Sequence, residues 1–406
     1  MLYDIIVTGA GPAGSFAAYN LAKKGYKTLL IDKAIFPRYK TCGGGITYKT
    51  FNLIPFNLDS ITQSSIYNFI FSSKFDNIYR RQSDKLLMKC FMRDEFDNML
   101  ALEAISAGAV FLQQEKIKNI ETHPDFFLIN TEKNSFKSKI LIGADGANST
   151  VARCLNLMQN AVFKAYAIES EVYTNDNILK QYENTVGLDW GTIIDGYGWI
   201  FPKKEHLSIG VGASLKNAKL VKPYYDALCN KLKINTQSVK SFKAHPIPFR
   251  INNNPIYSGK AILIGDAAGL TDPLTGEGIY YAMKSAIIAA DTIASFLSDN
   301  RQQSVDASPN RDLAQYQNEI NKQIMPELLA AIPVQHIYNC APLYFHKLIG
   351  KNERLWSAFC RILRGDLNYF DIQKKFPYSS ILWKPLTKTA KLVHNYKNNS
   401  TPPTFI

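Results

Sequence analysis

The feature that most constrains the fold is a glycine-rich turn close to the start of the chain. The turn GAGPAG (residues 9–14) follows an apolar run, Tyr3–Thr8, and precedes a stretch with helical apolar spacing, Ser15–Lys24. The run predicts a buried strand and the stretch predicts a helix. A second apolar run, Lys27–Asp32, comes next. Because crossovers between parallel strands are right-handed, this strand–turn–helix–strand unit predicts the start of a parallel sheet.

Each glycine of the turn has a predicted role in binding a dinucleotide. Gly9 permits the tight turn, Gly11 lets the backbone approach a pyrophosphate, and Gly14 allows the helix to pack closely on the strand. The helix start offers free N–H groups and partial positive charge to phosphates. Asp32 ends the second strand, where its carboxylate can accept hydrogen bonds from a ribose 2′-OH and disfavours a 2′-phosphate. A glycine-rich turn without any ligand is the alternative.

Two later segments repeat the pattern of a buried strand that ends in aspartate and glycine. They are LIGADGANS (residues 141–149) and IGDAAG (residues 264–269), and the second continues into PLTGEGI (residues 273–279). Glycines there let backbone N–H groups approach a flat ring, and a helix starting near Glu277 would aim its positive end at that ring. Asp266 can accept hydrogen bonds from sugar or ribityl hydroxyls. Taken alone, each pair of aspartate and glycine is most often an ordinary turn.

The order of these three motifs resembles the para-hydroxybenzoate hydroxylase-like flavoprotein superfamily over about the first 300 residues. The resemblance implies bound FAD. It also implies that Arg93, in MRDEFDNML (residues 92–100), lies on the helix beside FAD and reaches its pyrophosphate. The alternative for Arg93 is a surface side chain paired with Asp94 or Asp97.

Two segments narrow the resemblance to the geranylgeranyl reductase family. PRYKTCGGG (residues 37–45) is similar to a segment that runs beside the flavin, and YGWIFP (residues 197–202) followed by GVG (residues 210–212) resembles the substrate-binding motif. The family implies saturation of isolated double bonds in a prenyl chain by hydride from reduced flavin. The last 100 residues match no known motif, so the double bonds reduced and the headgroup stay open.

The second segment predicts a wall of aromatic side chains. Tyr197, Trp199 and Phe201 alternate along a predicted strand and therefore share one face, where they can hold a flexible prenyl chain by area burial. Pro202 completes the predicted substrate contacts. An ordinary core between sheets is the alternative.

Cys42 is the first candidate for a catalytic residue, and Tyr197 is the second. An isolated alkene accepts hydride poorly, so a general acid must protonate one carbon as hydride reaches the other. Cys42 could be that donor, a redox partner of the flavin or a small buried apolar side chain.

The motifs and the resemblance together predict one FAD site and no metal site. The six cysteines show no metal-ligand spacing and are expected to be reduced thiols. The predicted cofactor contacts are Gly9, Gly11, Ala13, Gly14, Asp32, Lys33, Cys42, Gly43, Gly45, Arg93, Ile117, Asp145, Asp266, Gly276, Gly278 and Ile279.

The predicted fold class is α/β with an α+β insertion. Residues 1–60, 84–155 and 255–300 are expected to form a discontinuous, Rossmann-like FAD-binding domain with a parallel sheet. Residues 61–83 and 156–254 are expected to form an antiparallel-sheet substrate domain. Residues 301–406 are expected to be a helical, membrane-facing C-terminal region.

The chain carries a net charge of +13, concentrated towards its end. Residues 346–396 hold ten Lys or Arg and three Asp or Glu, and aromatics are interleaved there, among them Trp356, Phe359, Tyr369, Phe370, Phe376, Tyr378 and Trp383. A basic, aromatic-rich surface suits an anionic membrane, while a solvated helical face over core aromatics is the alternative. No nucleic-acid module is visible. Without a long apolar stretch or a leader before Tyr3, the expected location is cytoplasmic, at the inner face of the membrane.

Two other functions share the same FAD motifs. One is a flavin monooxygenase that hydroxylates an aromatic or isoprenoid compound, and the other is a flavin-bound membrane scaffold without turnover. No second glycine-rich dinucleotide motif is present. The predicted electron donor is therefore NAD(P)H bound transiently, or a ferredoxin-like protein. The oligomeric state stays open.

Overall fold

Three β-sheets and twelve α-helices make up the described part of the chain, which in this computed structural model comprises residues 1–158, 162–234, 239–250, 254–302 and 312–375. The strands are β1 (Leu2–Thr8), β2 (Thr28–Asp32), β3 (Gly45–Thr47), β4 (Thr62–Ile66), β5 (Asn68–Ser73), β6 (Asp76–Gln82), β7 (Met88–Phe91), β8 (Val110–Gln113), β9 (Ile117–Thr122), β10 (Phe127–Thr131), β11 (Ser135–Gly143), β12 (Val162–Val172), β13 (Thr185–Trp190), β14 (Gly196–Pro202), β15 (Leu207–Ser214), β16 (Val239–Arg250), β17 (Tyr257–Ser258) and β18 (Ala261–Leu263). The helices are α1 (Pro12–Lys23), α2 (Tyr48–Phe51), α3 (Arg93–Ser106), α4 (Thr150–Cys154), α5 (Asp176–Gln181), α6 (Ala218–Lys231), α7 (Ile279–Gln302), α8 (Ala314–Gln323), α9 (Met325–Cys340), α10 (Pro342–Lys351), α11 (Glu353–Arg364) and α12 (Tyr369–Lys375).

The first sheet has a parallel centre in the order β18-β11-β1-β2-β8, and β17, β10 and β9 add to it in antiparallel fashion. Ile5, Ile6 and Val7 of β1 are fully buried, as expected for a central strand covered on both faces. The carboxyl ends of parallel strands meet at one edge. The three motifs follow β1, β11 and β18 directly, so the sheet brings them together there.

The second sheet runs β16-β12-β15-β14-β13-β5-β6, and only the β13–β5 pair among its neighbours is parallel. A third, three-stranded sheet, β3-β7-β4, joins the segment after Cys42 to the strand before Arg93. β4 therefore pairs with β7 rather than with the second sheet. The predicted fold class is confirmed, and the domain boundaries stay a prediction.

Helices α8–α12 pack on one another, and α10 packs against β5 and β6. Trp190 Nε1 donates to His346 Nδ1 at 3.0 Å, which ties α10 to the second sheet. Of the aromatics named from the sequence in this region, Trp356 and Tyr369 are buried and Phe359 and Phe370 are half-buried, so these four belong to the interior. Phe376, Tyr378 and Trp383 lie outside the described residues. Within the described helices, none combines the length and apolarity that crossing a bilayer requires.

Two helix boundaries differ from those that the sequence pattern predicts. α1 begins at Pro12 rather than Ser15, because proline at the first helical position needs no N–H partner and has a suitable φ. α7 begins at Ile279, later than Glu277, because Gly276 has φ +72° and interrupts the helical path.

Candidate active site

One cavity of about 1110 Å³ extends from the carboxyl edge of the parallel sheet to the C-terminal helices. All but two of the predicted cofactor and substrate residues line it. Gly14 does not, because a Cβ there would lie 1.8 Å from Gly9 O, so its glycine serves helix packing. Pro202 does not either, since alternation along β14 directs it away from the face of Phe201.

The glycine-rich turn lies at one end of this cavity. Gly9 has φ +92°, and a Cβ there would come within 2.5 Å of Ala144 O in the second motif. A Cβ on Gly11 would meet only Arg38 Nη2, at 3.8 Å. The start of α1 has no side-chain cap. The turn thus leaves open space against free helix N–H groups, which favours an anionic ligand.

Asp32 and Asp145 are held rigidly beside this turn. Asp32 accepts hydrogen bonds from Ala10 N at 2.7 Å and Ala34 N at 2.8 Å. Asp145 accepts from Thr150 N at 2.6 Å at the start of α4, and burial raises the pKa of its carboxyl despite these bonds. Both carboxylates keep a face on the cavity.

Arg93 is buried and lines the cavity, but its guanidinium is already held by Asp97. Arg93 Nε and Nη2 each donate to one Asp97 oxygen at 2.9 Å. Arg38 Nη1 lies 3.1 Å from the same carboxylate. Asp97, one of the alternative partners named from the sequence, therefore orients two cations towards the cavity rather than holding Arg93 at the surface.

More positive charge surrounds Asp266 in the third motif. Burial and then the charge of Arg93 lower the pKa of Lys40 to about 8. Burial and then Lys40 lower the pKa of His245 to about 3, so His245 is neutral. Burial raises the pKa of Asp266, and Lys40 and Arg93 oppose this. Lys40 lies in the segment that the resemblance places beside the flavin, although it was not among the predicted site residues. His245 was missed because only the fold brings β16 to that segment.

The loop before α7 is fixed by two carboxylates. Asp272 Oδ1 accepts from Leu274 N at 2.7 Å and from Thr275 N at 3.3 Å. Glu277 accepts from Thr47 Oγ1 at 2.5 Å and pairs with Lys49 at 2.7 Å. Gly278 and Ile279 therefore present the start of α7 to the cavity.

Cys42 lies in a loop that touches the aromatic wall. Cys42 is half-buried and lines the cavity. The backbone N–H of Gly44 donates to its sulfur at 3.5 Å. Cβ atoms on Gly43 and Gly45 would come within 2.4 Å and 2.5 Å of the Phe201 ring, so the loop can approach β14 only with glycine there.

Tyr197, Trp199 and Phe201 all line the cavity from β14, as their alternation predicts. The Trp199 indole lies over Gly210 of β15, where a Cβ would be 2.2 Å from Trp199 Cζ2. This close approach explains why the GVG segment (residues 210–212) begins with glycine. The Tyr197 hydroxyl donates to Thr275 O, and burial raises its pKa well above the ordinary value. Tyr197 is therefore a weaker acid than an exposed tyrosine.

The far end of the cavity is apolar and is built by helices that contain none of the motifs described above. Its lining from the C-terminal helices is entirely aliphatic or aromatic: Val334, Tyr338, Phe345, Leu348, Ile349, Leu355, Ala358, Phe359, Ile362, Leu363, Tyr369 and Ile372. The only local signal was the amphipathic spacing of α11. We call this end the apolar chamber.

Comparison with known proteins agrees with this geometry. Residues 2–184 match the family model described as FAD binding domain. An uncharacterized protein of Methanosarcina barkeri is 38% identical over 293 residues, which are 72% of this chain and 75% of that protein. Digeranylgeranylglycerophospholipid reductase of Methanocaldococcus jannaschii is 30% identical over 315 residues, covering 74% of this chain and 78% of that enzyme. The chain belongs to the geranylgeranyl reductase family.

The fold of this geranylgeranyl reductase family member agrees with that of a solved structure. A geranylgeranyl bacteriochlorophyll reductase-like protein from Thermoplasma acidophilum superposes with a TM-score of 0.75 at 22% identity, covering 95% of this chain and 99% of that one. The predicted family and the predicted cofactor FAD are confirmed, and the protein is an FAD-dependent oxidoreductase.

The residues of this family member fit FAD. The Gly11 approach is open, and the buried His245 Nε2 has no hydrogen-bond partner among the described residues. The cavity exceeds the roughly 300–1,000 Å³ of ordinary ligand pockets, so a large cofactor leaves room for a second ligand. No cluster of metal-ligating side chains occurs within the described ranges.

Proposed function

We propose that this protein saturates isolated double bonds in the prenyl chain of an isoprenoid lipid. The observation that carries the proposal is the continuity of one cavity from the glycine-rich turn to the apolar chamber. A flavin at the first end and a prenyl chain at the second would meet beside Cys42 and the aromatic wall. The names of the curated relatives support the same class of substrate.

The cofactor contacts in this proposal follow the cavity lining. The start of α1 with Gly11 and Arg93 binds the pyrophosphate, and Asp32 accepts from the ribose. Asp266 binds the ribityl chain, and the start of α7 stabilises negative charge on the ring. Ala13, Lys33, Ile117 and Asp145 complete the lining on the nucleotide side.

The chain's own residues supply the proton and exclude water. Reduced FAD, when bound, supplies a hydride to one alkene carbon. The Cys42 thiol donates a proton to the other carbon, so the lipid gains two hydrogens for each double bond. Tyr197 is less suited to this role, because its hydroxyl is engaged with Thr275 O and its pKa is raised. The aromatic wall keeps water from the carbocation-like transition state.

The apolar chamber selects the substrate by burial of its chain. Its side chains can enclose a long hydrocarbon, with about 25 cal/mol gained per Å² of apolar surface removed from water. The aromatic rings of Trp199 and Phe201 lie where the chamber meets the Cys42 loop. A prenyl chain suits such a wall better than a compact polar substrate does.

The mouth of the chamber supports extraction of substrate from a membrane surface. Leu355 lines the cavity and is also 40% exposed, and α10 exposes Leu343 and Tyr344 nearby in the chain. Lys347 and Lys351 are exposed on the same helix. We expect peripheral binding to an anionic membrane at its cytoplasmic face, seen as flotation with vesicles of anionic but not of neutral lipid.

The electron donor in this proposal is NAD(P)H bound transiently or a ferredoxin-like protein. The two are distinguished by stopped-flow reduction of the bound flavin with NADPH, NADH or reduced ferredoxin.

The proposal is tested by incubating the FAD-loaded protein with chemically reduced flavin and prenyl lipids that differ in headgroup. We expect a mass gain of two hydrogens for each reduced bond. A gain of one oxygen, seen only in air, would instead identify a monooxygenase. Cys42→Ala is expected to keep the yellow colour and lose activity, and retained activity would reduce Cys42 to a packing role.

A further inference from the structure

Two buried, oppositely charged side chains contact the Cys42–Gly45 loop from the second sheet. Glu169 of β12 is fully buried, and Lys203, which directly follows β14, is 5% exposed. Burial of a charge is costly unless hydrogen bonds compensate it. Neither residue was expected from the sequence to take part in the site, so their partners decide what they do.

Glu169 links the Cys42–Gly45 loop to the aromatic wall. Its Oε1 accepts a hydrogen bond from Cys42 N at 2.9 Å, and its Oε2 accepts from Trp199 Nε1 at 3.1 Å. One carboxylate thus sets the distance between the backbone of Cys42 and the indole in the middle of the wall. The two N–H groups donate to two different oxygens of this side chain. Glutamate has both oxygens, whereas glutamine has one oxygen and an NH2 group that cannot accept.

Lys203 holds the next residue of the loop. Its Nζ donates to Gly43 O at 2.7 Å and to Phe91 O at 2.9 Å. Phe91 N in turn donates to Gly44 O at 2.9 Å, so the loop is also tied to the end of β7. The carboxylate therefore fixes the loop through an N–H group, and the ammonium fixes it through a carbonyl.

Among the described residues, the rest of the loop is held only by backbone hydrogen bonds and by contact with Phe201. Gly43, Gly44 and Gly45 bring no side chain, and glycine has the greatest backbone freedom of any residue. Without the two charges, the position of the thiol would depend on the hydrogen bond from Gly44 N to Cys42 Sγ at 3.5 Å, on the bond from Phe91 N to Gly44 O and on contact with Phe201. A glycine run next to a reacting group needs external support, because misplacement by about 1 Å can cost on the order of a hundredfold in rate.

We propose that Glu169 and Lys203 are positioning residues that hold the Cys42 thiol between the flavin end of the cavity and the aromatic wall. This proposal rests on the proposed function for the role of Cys42, but the geometry it describes can be measured without any substrate. Neither residue lines the cavity, so each acts through the loop.

Glu171 provides a matched control. It lies two residues along β12 and is also buried, but its hydrogen-bond partners are His206 at 2.9 Å and Ser208, both away from the loop. It acts on Glu169 and Lys203 through its charge alone, so the control separates an effect of charge from the loss of a hydrogen bond to the loop. Glu171→Gln therefore removes a buried charge of the same kind without touching Cys42. At about pH 8 this control is expected to change neither kcat nor thiol reactivity by more than about twofold.

The test measures Cys42 alkylation by iodoacetamide in the FAD-loaded protein, followed on the Cys42 peptide by mass spectrometry with Cys340 as an internal reference. Glu169→Gln and Lys203→Met are each expected to speed alkylation by about tenfold, the factor that one hydrogen bond to a charged group can supply. Their kcat should fall by about tenfold, with KM within about threefold.

A double variant separates positioning from general loss of packing. Trp199→Phe removes the indole N–H donor. In this background the single oxygen of glutamine at position 169 is free to accept the hydrogen bond from Cys42 N. Adding Glu169→Gln to Trp199→Phe should therefore leave alkylation within about twofold of Trp199→Phe alone. The proposal would be overturned if Glu169→Gln and Lys203→Met were both alkylated at the wild-type rate. It would also be overturned if Glu171→Gln were alkylated as fast as those two variants. If alkylation responds as expected while wild type reduces no prenyl lipid, the proposed function fails and the positioning of Cys42 stands.

Discussion

Arg93 and Asp97, one turn apart on α3, form a two-pronged ion pair inside the protein, with both nitrogen–oxygen distances at 2.9 Å. Such a fork fixes the plane of the guanidinium as well as its position. The same carboxylate also holds Arg38. A single buried aspartate therefore aligns two cations along the cavity that we expect to receive the FAD pyrophosphate.

Asp97→Asn tests this alignment. We expect a loss of about 3–5 kcal/mol in the free energy of unfolding, because the buried Arg93 and the half-buried Arg38 lose their counter-charge. FAD should bind at least about tenfold more weakly, since Arg93 is no longer oriented. Urea unfolding and titration of the apoprotein with FAD measure the two effects. The exposed Glu95→Gln, on the same helix, should change neither, and an equal effect there would contradict the assignment.

Gly11→Ala tests the phosphate site without disturbing the fold. The new Cβ has room, with its nearest neighbour at 3.8 Å, so the apoprotein should melt at the wild-type temperature. The methyl group would occupy the space through which the backbone approaches the pyrophosphate. We expect FAD affinity to fall by at least about a hundredfold. Unchanged affinity would mean that the pyrophosphate does not lie on this turn.

The three motifs were predictable because each is local. A strand, a glycine turn and a helix start are contiguous in sequence, and the parallel sheet then collects all such turns at one edge. Alternation along β14 likewise predicted which aromatic side chains face the cavity. The roles assigned to these residues stay predictions until they are tested with ligand.

The supporting residues could not be predicted, because their partners are remote in sequence. Glu169 meets a residue 127 positions away, and Lys203 meets one 160 positions away. Nothing local marks either as part of a site. The apolar chamber was missed for a related reason, since the sequence of the helices that form it predicts helical structure but not how these helices pack together and, through α10, against β5 and β6.

Asp272→Asn tests whether titration of the buried Asp272 carboxyl makes the free energy of unfolding depend on pH. Burial raises the pKa of the Asp272 carboxyl from 3.8 to about 6, with Lys49 opposing the shift. The native state therefore holds this proton more tightly than the unfolded state does, and the stability it contributes is lost as pH rises from 3.8 to about 6. Asparagine keeps the Oδ1 acceptor for Leu274 N and Thr275 N but does not titrate.

At saturating FAD, the free energy of unfolding of the wild-type protein should therefore fall relative to that of Asp272→Asn as pH rises through this range, by on the order of 2–3 kcal/mol. Denaturant unfolding at about pH 4, 5, 6 and 7 measures the difference. A constant difference, or one of opposite sign, would show that Asp272 does not titrate there.

Ala358→Trp tests the apolar chamber. Ala358 lines the cavity on α11, so a large ring there should shorten the space for a chain. KM for a geranylgeranyl lipid should rise by about tenfold, while a shorter geranyl analogue should be affected by less than about twofold. Ser357→Trp places the same ring on the exposed neighbour and should change neither. Equal effects on both chain lengths would place the prenyl chain elsewhere.

The most direct measurement is a single turnover in the absence of oxygen. The flavin of the FAD-loaded protein is photoreduced, and the protein is mixed with a geranylgeranyl lipid. Flavin absorbance is then followed, and the mass of the lipid is measured by mass spectrometry. We predict that the oxidised flavin spectrum returns as the lipid gains two hydrogens for each equivalent of flavin. A flavin that stays reduced with every prenyl lipid offered, beside lipid of unchanged mass, would contradict the account.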